Sequence, residues 1–294
     1  MENFSNVKVI AQKEFTDHLK SPVFLSFTAT FTLVVLAWSY VQGTEVEYTL
    51  NVLGSPDIMR GFKGVAEVVG CFAPIIGIVL GFDAIVKEIR SSSMNVLLTH
   101  PVFRDNIILG KILGSGSCIL LVLFFSINLA TGVMLMASGL PVTMQQIIRI
   151  EMFVFLTFFY ALIFLAISIM ISTIAKKSNN SFLFNLIFWL VITVLLAKLI
   201  FTVSYAFSED LNIANSQTQT IKNFLPDYHF SATAVGIKDI NTGLTSGIGG
   251  IFDTRYTLGA WIGEFWPNLA YLFVLPIILL IGSILAFLKK DITY

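Results

Sequence analysis

Charge is scarce in this sequence. Only 12% of its 294 residues are Asp, Glu, Lys or Arg, whereas 56% are hydrophobic. So little polar surface excludes a soluble globular domain and makes the bilayer the solvent. Acidic and basic residues balance at 18 each, so there is no basic field to attract nucleic acid. The two cysteines, Cys71 and Cys118, both fall inside apolar runs, which excludes a disulfide scaffold or a multi-cysteine metal site. The three histidines, His18, His100 and His229, are too far apart for a metal or catalytic triad. A P-loop is also missing: Gly110-Lys111 is followed by Ile112, and the position five residues before Gly110 is Asp105 rather than glycine. No nucleophile, metal set or acid pair stands at one depth, so no enzymatic activity and no bound cofactor are expected of this chain. The opening residues show no short apolar run with a small-residue cleavage site, so no signal peptide is expected.

What the sequence has in abundance is apolar runs of membrane-crossing length. Six spans are read at about 23–41, 65–82, 112–137, 147–174, 182–207 and 269–288, each long enough for roughly 30 Å of hydrocarbon. Before them, residues 1–21 place Phe4, Val7, Ile10, Ala11 and Phe15 on one helical face and Lys8, Lys13, Asp17 and Lys20 around the other, an interfacial helix. The remainder, 22–294, is one transmembrane domain. Residues 42–64 read as an external loop, and 208–265 as an enlarged extracytoplasmic segment capped by short helices, with Trp261 and Trp266 as interfacial anchors. Eleven of the 18 basic residues fall on the side shared by both ends and by the connections after spans two and four. The positive-inside rule makes that side cytoplasmic, so the expectation is an all-α, multi-pass protein of the cell membrane with both termini inside.

The stretch 83–111 sits between spans two and three. Its charges, Asp83, Lys87, Glu88, Arg90, Arg104, Asp105 and Lys111, interleave with Ile85, Ile89, Met94, Leu97 and Leu98, and His100-Pro101 breaks it. An amphipathic helix at the cytoplasmic surface, with Met94, Leu97 and Leu98 on one side, is suited to a groove on a partner.

KEIRSSSMNVLLTHPVFRDNIILGKILG resembles the cytoplasmic signature of ABC-2 type permeases, the membrane subunits of type V ABC exporters. Glu88 and Arg90 match its charged cluster, Asn95 to Leu98 its short helix, Pro101 and Arg104 its proline element, and Gly110-Lys111 the start of the third span. Ser92-Ser93 stands where relatives commonly carry Gly-Thr, and Phe103 where they carry a small residue. The plan of six spans, a surface helix at the N-terminus and an enlarged external segment is similar too. The resemblance implies that 91–103 is a coupling helix seated on a separate ATPase subunit, present in two copies, which binds the ATP and Mg. It implies as well a second permease copy or paralogue. The chain is then the permease of an ATP-driven exporter. The alternative is a non-transporting anchor and mechanotransmitter between a cytoplasmic ATPase and an external protein bound to 208–265.

Polar groups inside spans are costly and mark function or pairing. Lys198 in span five, with Glu67 and Glu151 near the ends of spans two and four, forms a candidate substrate path. Phe184, Phe188 and Trp189 offer an apolar, aromatic surface on that path, suited to a lipid, a peptide or a hydrophobic small molecule. Against the path stands the reading that Lys198 snorkels to the headgroups. In span two, Pro74 predicts a bend, and Gly77 and Gly81 a close helix approach. Met134, Met136, Met144 and Met152 cluster at the ends of spans three and four; with no Met-x-x-Met or cysteine beside them they read as adaptable filler and not as a soft-metal route.

Overall fold

The computed structural model describes residues 2–53, 57–90, 104–208, 210–237 and 247–290. The described chain is helical, without strands, as the bilayer requires of a segment that must satisfy its own backbone. Six helices are long and apolar enough to cross a membrane. In chain order α1 is Glu2–Lys20, α2 Pro22–Leu53, α3 Ile58–Gly81, α4 Val86–Arg90, α5 Arg104–Ser138 and α6 Met144–Ile174. The fifth span is α7, Ser178–Leu190, continued by a π-helical turn Val191–Leu195 and α8, Leu196–Ser208. Two short helices, α9 Leu211–Lys222 and α10 Pro226–Val235, precede α11, Leu258–Leu288.

Helix α3 is the hub, packed between α2 and α6, while α6 packs on α11 and α5 on both α1 and α2. Glycine sets the closest of these approaches. A Cβ at Gly77 would lie 2.5 Å from the carbonyl oxygen of Ala161 and one at Gly81 2.7 Å from Ser168 Cβ, so α3 and α6 meet with almost no side chain between their backbones. The four-residue glycine spacing in span two therefore marks a helix contact. Pro74 lies inside α3 and is buried, where its missing N–H removes one helical hydrogen bond.

The helices overrun the spans read from hydropathy. Helix α2 continues through Leu53, across much of the stretch 42–64 expected as a loop. Gly43 is a packing residue there and not a turn signal: a Cβ on it would sit 2.7 Å from Ala137 Cβ of α5. Helix α11 begins at Leu258, capped by Thr257, whose hydroxyl accepts the Ala260 N–H. That is a full three turns before position 269, and it overturns one reading. Trp261 is not an interfacial anchor: it is 1% exposed, and its indole N–H donates to the carbonyl of Thr233 at 3.0 Å. Trp266 is exposed.

At the far end of the bundle from α1, Arg149 of α6 ties down the segment ahead of α11 by donating to the carbonyls of Ile251, Asp253 and Tyr256. Asp253 in turn accepts the Gly249 N–H and pairs with Arg255, which holds its carboxyl well below the usual range. His229 of α10 bonds to Asn268 and to the Asn223 carbonyl, and its ring stacks on Tyr271 at 3.9 Å. Helix α10 is thus fastened to α11, while α9 packs on α8.

Candidate functional site

Two sites emerge, one at each end of the span bundle. The first lies where α1, α4 and the start of α5 meet. Helix α1 lies directly on α5 because Gly110 and Gly114 expose its backbone: a Cβ on Gly110 would be 2.6 Å from Ile10 Cβ, and one on Gly114 2.7 Å from both the Ala11 carbonyl oxygen and Glu14 Cβ. That close seat puts Lys111, 3% exposed, between two carboxylates. Its Nζ is 2.7 Å from Oε1 of Glu14 on α1 and 2.6 Å from Oε1 of Glu88 on α4. A buried lysine with two short charge-assisted bonds recovers in pairing what it loses in desolvation.

Around this triad the histidine His18 contacts Ser115 Oγ at 3.0 Å and stands 4.0 Å from Glu14. Burial pushes its imidazole below the ordinary value, with Glu14 opposing. A cavity of about 180 Å³ opens beside it, bordered by Lys13, Asp17, Asp83 and Lys87. Helix α4 is itself held from outside, since Ser172 Oγ of α6 accepts the N–H groups of both Ile85 and Val86. Arg104 donates to the Lys290 carbonyl at 3.3 Å, and the Lys290 ammonium reaches the Thr173 carbonyl. Five elements therefore converge around the two ends of segment 91–103. Met94, Asn95, Leu97, Leu98 and Pro101 lie outside the described residues; Arg90 closes α4 and Arg104 opens α5. Lys111 follows Arg104 by seven positions, two helical turns along the same face.

In the sequence Lys111 was legible as one of the charges of 83–111 and as half of the Gly-Lys that opens the third span, but not as the centre of a buried triad. Glu14 and Ser115 were not singled out, and His18 only as one of three scattered histidines, although the Gly110/Gly114 spacing beside a lysine is a local signal for a helix seated over it.

The second site is a cavity of about 500 Å³ between α3, α6, the fifth span and α10. Glu67 and Lys198 both line it, together with Cys71, Tyr160, Thr193 and Asp227. Glu151 lies outside it, and so do Phe184, Phe188 and Trp189. Of these aromatics Phe184 is exposed, while Trp189 is partly buried against the core. The methionines do not converge either: Met134 is buried and packs at Gly61, whereas Met136 and Met144 are exposed. Among the described residues no group of three or more His, Cys, Asp or Glu could hold a metal.

Comparison with known proteins agrees with this architecture. The sequence model of the family described as "ABC-2 family transporter protein" matches residues 8–292. The chain is 26% identical over 136 residues to the probable ABC transporter permease protein NosY of Stutzerimonas stutzeri, covering 46% of this chain and 48% of that protein. It is 31% identical over 112 residues to the protein of the same description from Pseudomonas aeruginosa, covering 37% and 38% respectively. The matched region thus spans about half or less of the length of these curated relatives.

Proposed function

We infer the function from one premise: this chain belongs to the ABC-2 family of transporter proteins. It is a multi-pass membrane protein, and we read it as the permease subunit of an ATP-driven exporter. Two copies, or one copy and a paralogue, frame the pathway. Separate ATPase subunits bind ATP and Mg on the side of α1, which is the cytoplasmic side, and engage residues 91–103.

The observation that carries this reading is the buried Glu14–Lys111–Glu88 triad. It ties the surface helix, the segment before 91–103 and the span after it into one unit. A push on 91–103 is therefore delivered to α5 and α1 together instead of being absorbed by a loose loop. The cavity of the second site, with charged groups among the spans, favours a transport role over a static anchor, for which a tightly packed, dry bundle would suffice.

The test is co-purification of the chain with a cognate ABC ATPase in detergent and in liposomes, followed by ATPase rate. Glu88→Ala and the pair Leu97→Ala/Leu98→Ala are expected to release the ATPase or to uncouple its rate from substrate. Binding and coupling indifferent to all three changes would overturn the reading.

A further inference from the structure

The cavity between α3, α6, the fifth span and α10 carries more than a route. Its floor is aromatic: Phe230 of α10 stacks on Tyr160 of α6 at 4.5 Å between centroids, and Phe230 fills the space that Gly70 leaves, where a Cβ would be 2.6 Å from its ring. Ala66, Val194 and Val235 supply apolar wall. Against this background Oδ1 of Asp227 and Oγ1 of Thr193 are buried with no hydrogen-bond partner of their own among the described residues, although the backbone N–H groups of Asp227 and Tyr228 act on the Asp227 carboxyl. A buried acceptor left unpaired is costly, and both belong to residues that line the cavity. Asp227 sits in the first turn of α10, and Thr193 in the π-helical turn, a local widening of the kind often found at ligand sites.

The charge inventory is mixed. Asp227 and Glu67 are acidic and Lys198 basic. The basic side chain that acts on Asp227 is Lys222, and Lys198 is the basic residue of the lining. Access is lateral. In the most apolar 18-residue window of the fifth span no residue is buried, against 61% in the windows of the second and fourth spans. The helix that carries Thr193, Val194 and Lys198 is thus the one most open to lipid.

We propose that this cavity binds the headgroup of a zwitterionic amphiphile, its ammonium paired with the Asp227 carboxylate and its anionic group with Lys198. The volume suits a headgroup or a small molecule, the aromatic floor accepts an ammonium or an apolar body, and the chains of the ligand leave sideways along the fifth span. Burial pushes the Asp227 carboxyl up to about 6, so at neutral pH its charge stands in a poorly solvated place that an ammonium would neutralise. The proposal rests on the permease reading for its meaning, since a headgroup site within a permease is a substrate contact. It does not rest on that reading for its test.

Cys71 lines the same cavity and is a free thiol, whereas Cys118 is buried elsewhere. The full chain in dodecyl maltoside at pH 8 is treated with N-ethylmaleimide, and modification of Cys71 is read by peptide mass spectrometry with increasing dihexanoyl phosphatidylethanolamine. Labelling should slow about tenfold once the lipid exceeds its Kd about tenfold. Asp227→Asn and Lys198→Ala should each raise the lipid concentration needed by at least about tenfold, while Lys198→Arg retains protection and thermal scans show all three variants folded. Equal protection by dihexanoyl phosphatidic acid or by hexylamine would overturn the proposal in favour of a site for one sign of charge. Labelling of Cys71 that no compound slows would overturn it outright. No ATPase is present, so a failure here and a failure of coupling are separate results.

Discussion

Lys111 and Glu88 stand 23 residues apart in sequence, on opposite sides of segment 91–103, and their side chains close on each other at 2.6 Å with almost no exposure to solvent. The ends of the segment are thereby clamped by a salt bridge rather than by backbone alone. Glu14 adds a second clamp from α1.

Breaking that arrangement on one side should be expensive. Lys111→Met leaves Glu14 and Glu88 facing each other in a buried site and is expected to cost about 3–5 kcal/mol, read as a lowered thermal midpoint in detergent. The triple variant Glu14→Gln/Lys111→Met/Glu88→Gln removes the charges together and should recover most of that stability while substrate-stimulated ATPase activity of the complex stays low. Coupling that returns with stability would show the triad to be scaffolding only.

The α3–α6 contact gives a steric prediction. Gly77→Ala places a methyl 2.5 Å from the Ala161 carbonyl oxygen and 2.8 Å from the Leu165 nitrogen, both backbone atoms that cannot swing aside. Forcing the two helices apart should cost about 1–3 kcal/mol. Gly132→Ala, where nothing lies within 4 Å of the added carbon, should be neutral or slightly stabilising in the same thermal scan.

Arg149 is a latch for the segment ahead of α11. Replacing it with Met leaves three carbonyls without their donor and should loosen residues 247–257 by about 2–4 kcal/mol. Limited proteolysis would then cut that segment first, with the spans intact. Arg149→Lys, which supplies one head where the guanidinium supplied two nitrogens, should fall between the two.

Asp227 links stability to pH. Its carboxyl is held up to about 6 by burial, above the ordinary unfolded value near ~4. The folded chain therefore binds the proton more tightly than the unfolded chain, and stability falls as pH rises from about 4 to about 6. Above that window the penalty is fully present. Asp227→Asn should accordingly raise the thermal midpoint at pH 7.5, by an amount corresponding to about 1–3 kcal/mol, and leave it nearly unchanged at pH 4. A gain of equal size at both values would mean that desolvated charge is not its source.

Much of the architecture was legible in the chain. A segment that crosses hydrocarbon must be long, apolar and self-satisfied in its hydrogen bonds, and those demands are local, so composition alone marks six spans and the amphipathic α1. Gly77 and Gly81 were legible too, because close helix approach leaves a four-residue trace. The functional sites were legible only in fragments. Lys198 and Glu67 stood out as charges in apolar runs, but that they share a cavity with Asp227, while Glu151 does not, follows from how α10 folds back over α3 and α6.

What tertiary structure decided is which polar residues are inside. Lys111 is paired with a glutamate 97 positions earlier, and Trp261 is turned from a plausible surface anchor into a core residue by a carbonyl 28 positions away. Local periodicity carries no record of such partners. Sequence set the number of spans and their apolar character because a segment in hydrocarbon answers to the bilayer, whereas helix ends such as those of α2 and α11 run past it. The close seating of the helices, fixed by Gly110 and Gly114 under α1 and by Gly77 and Gly81 against α6, determined which charges would be shut away together.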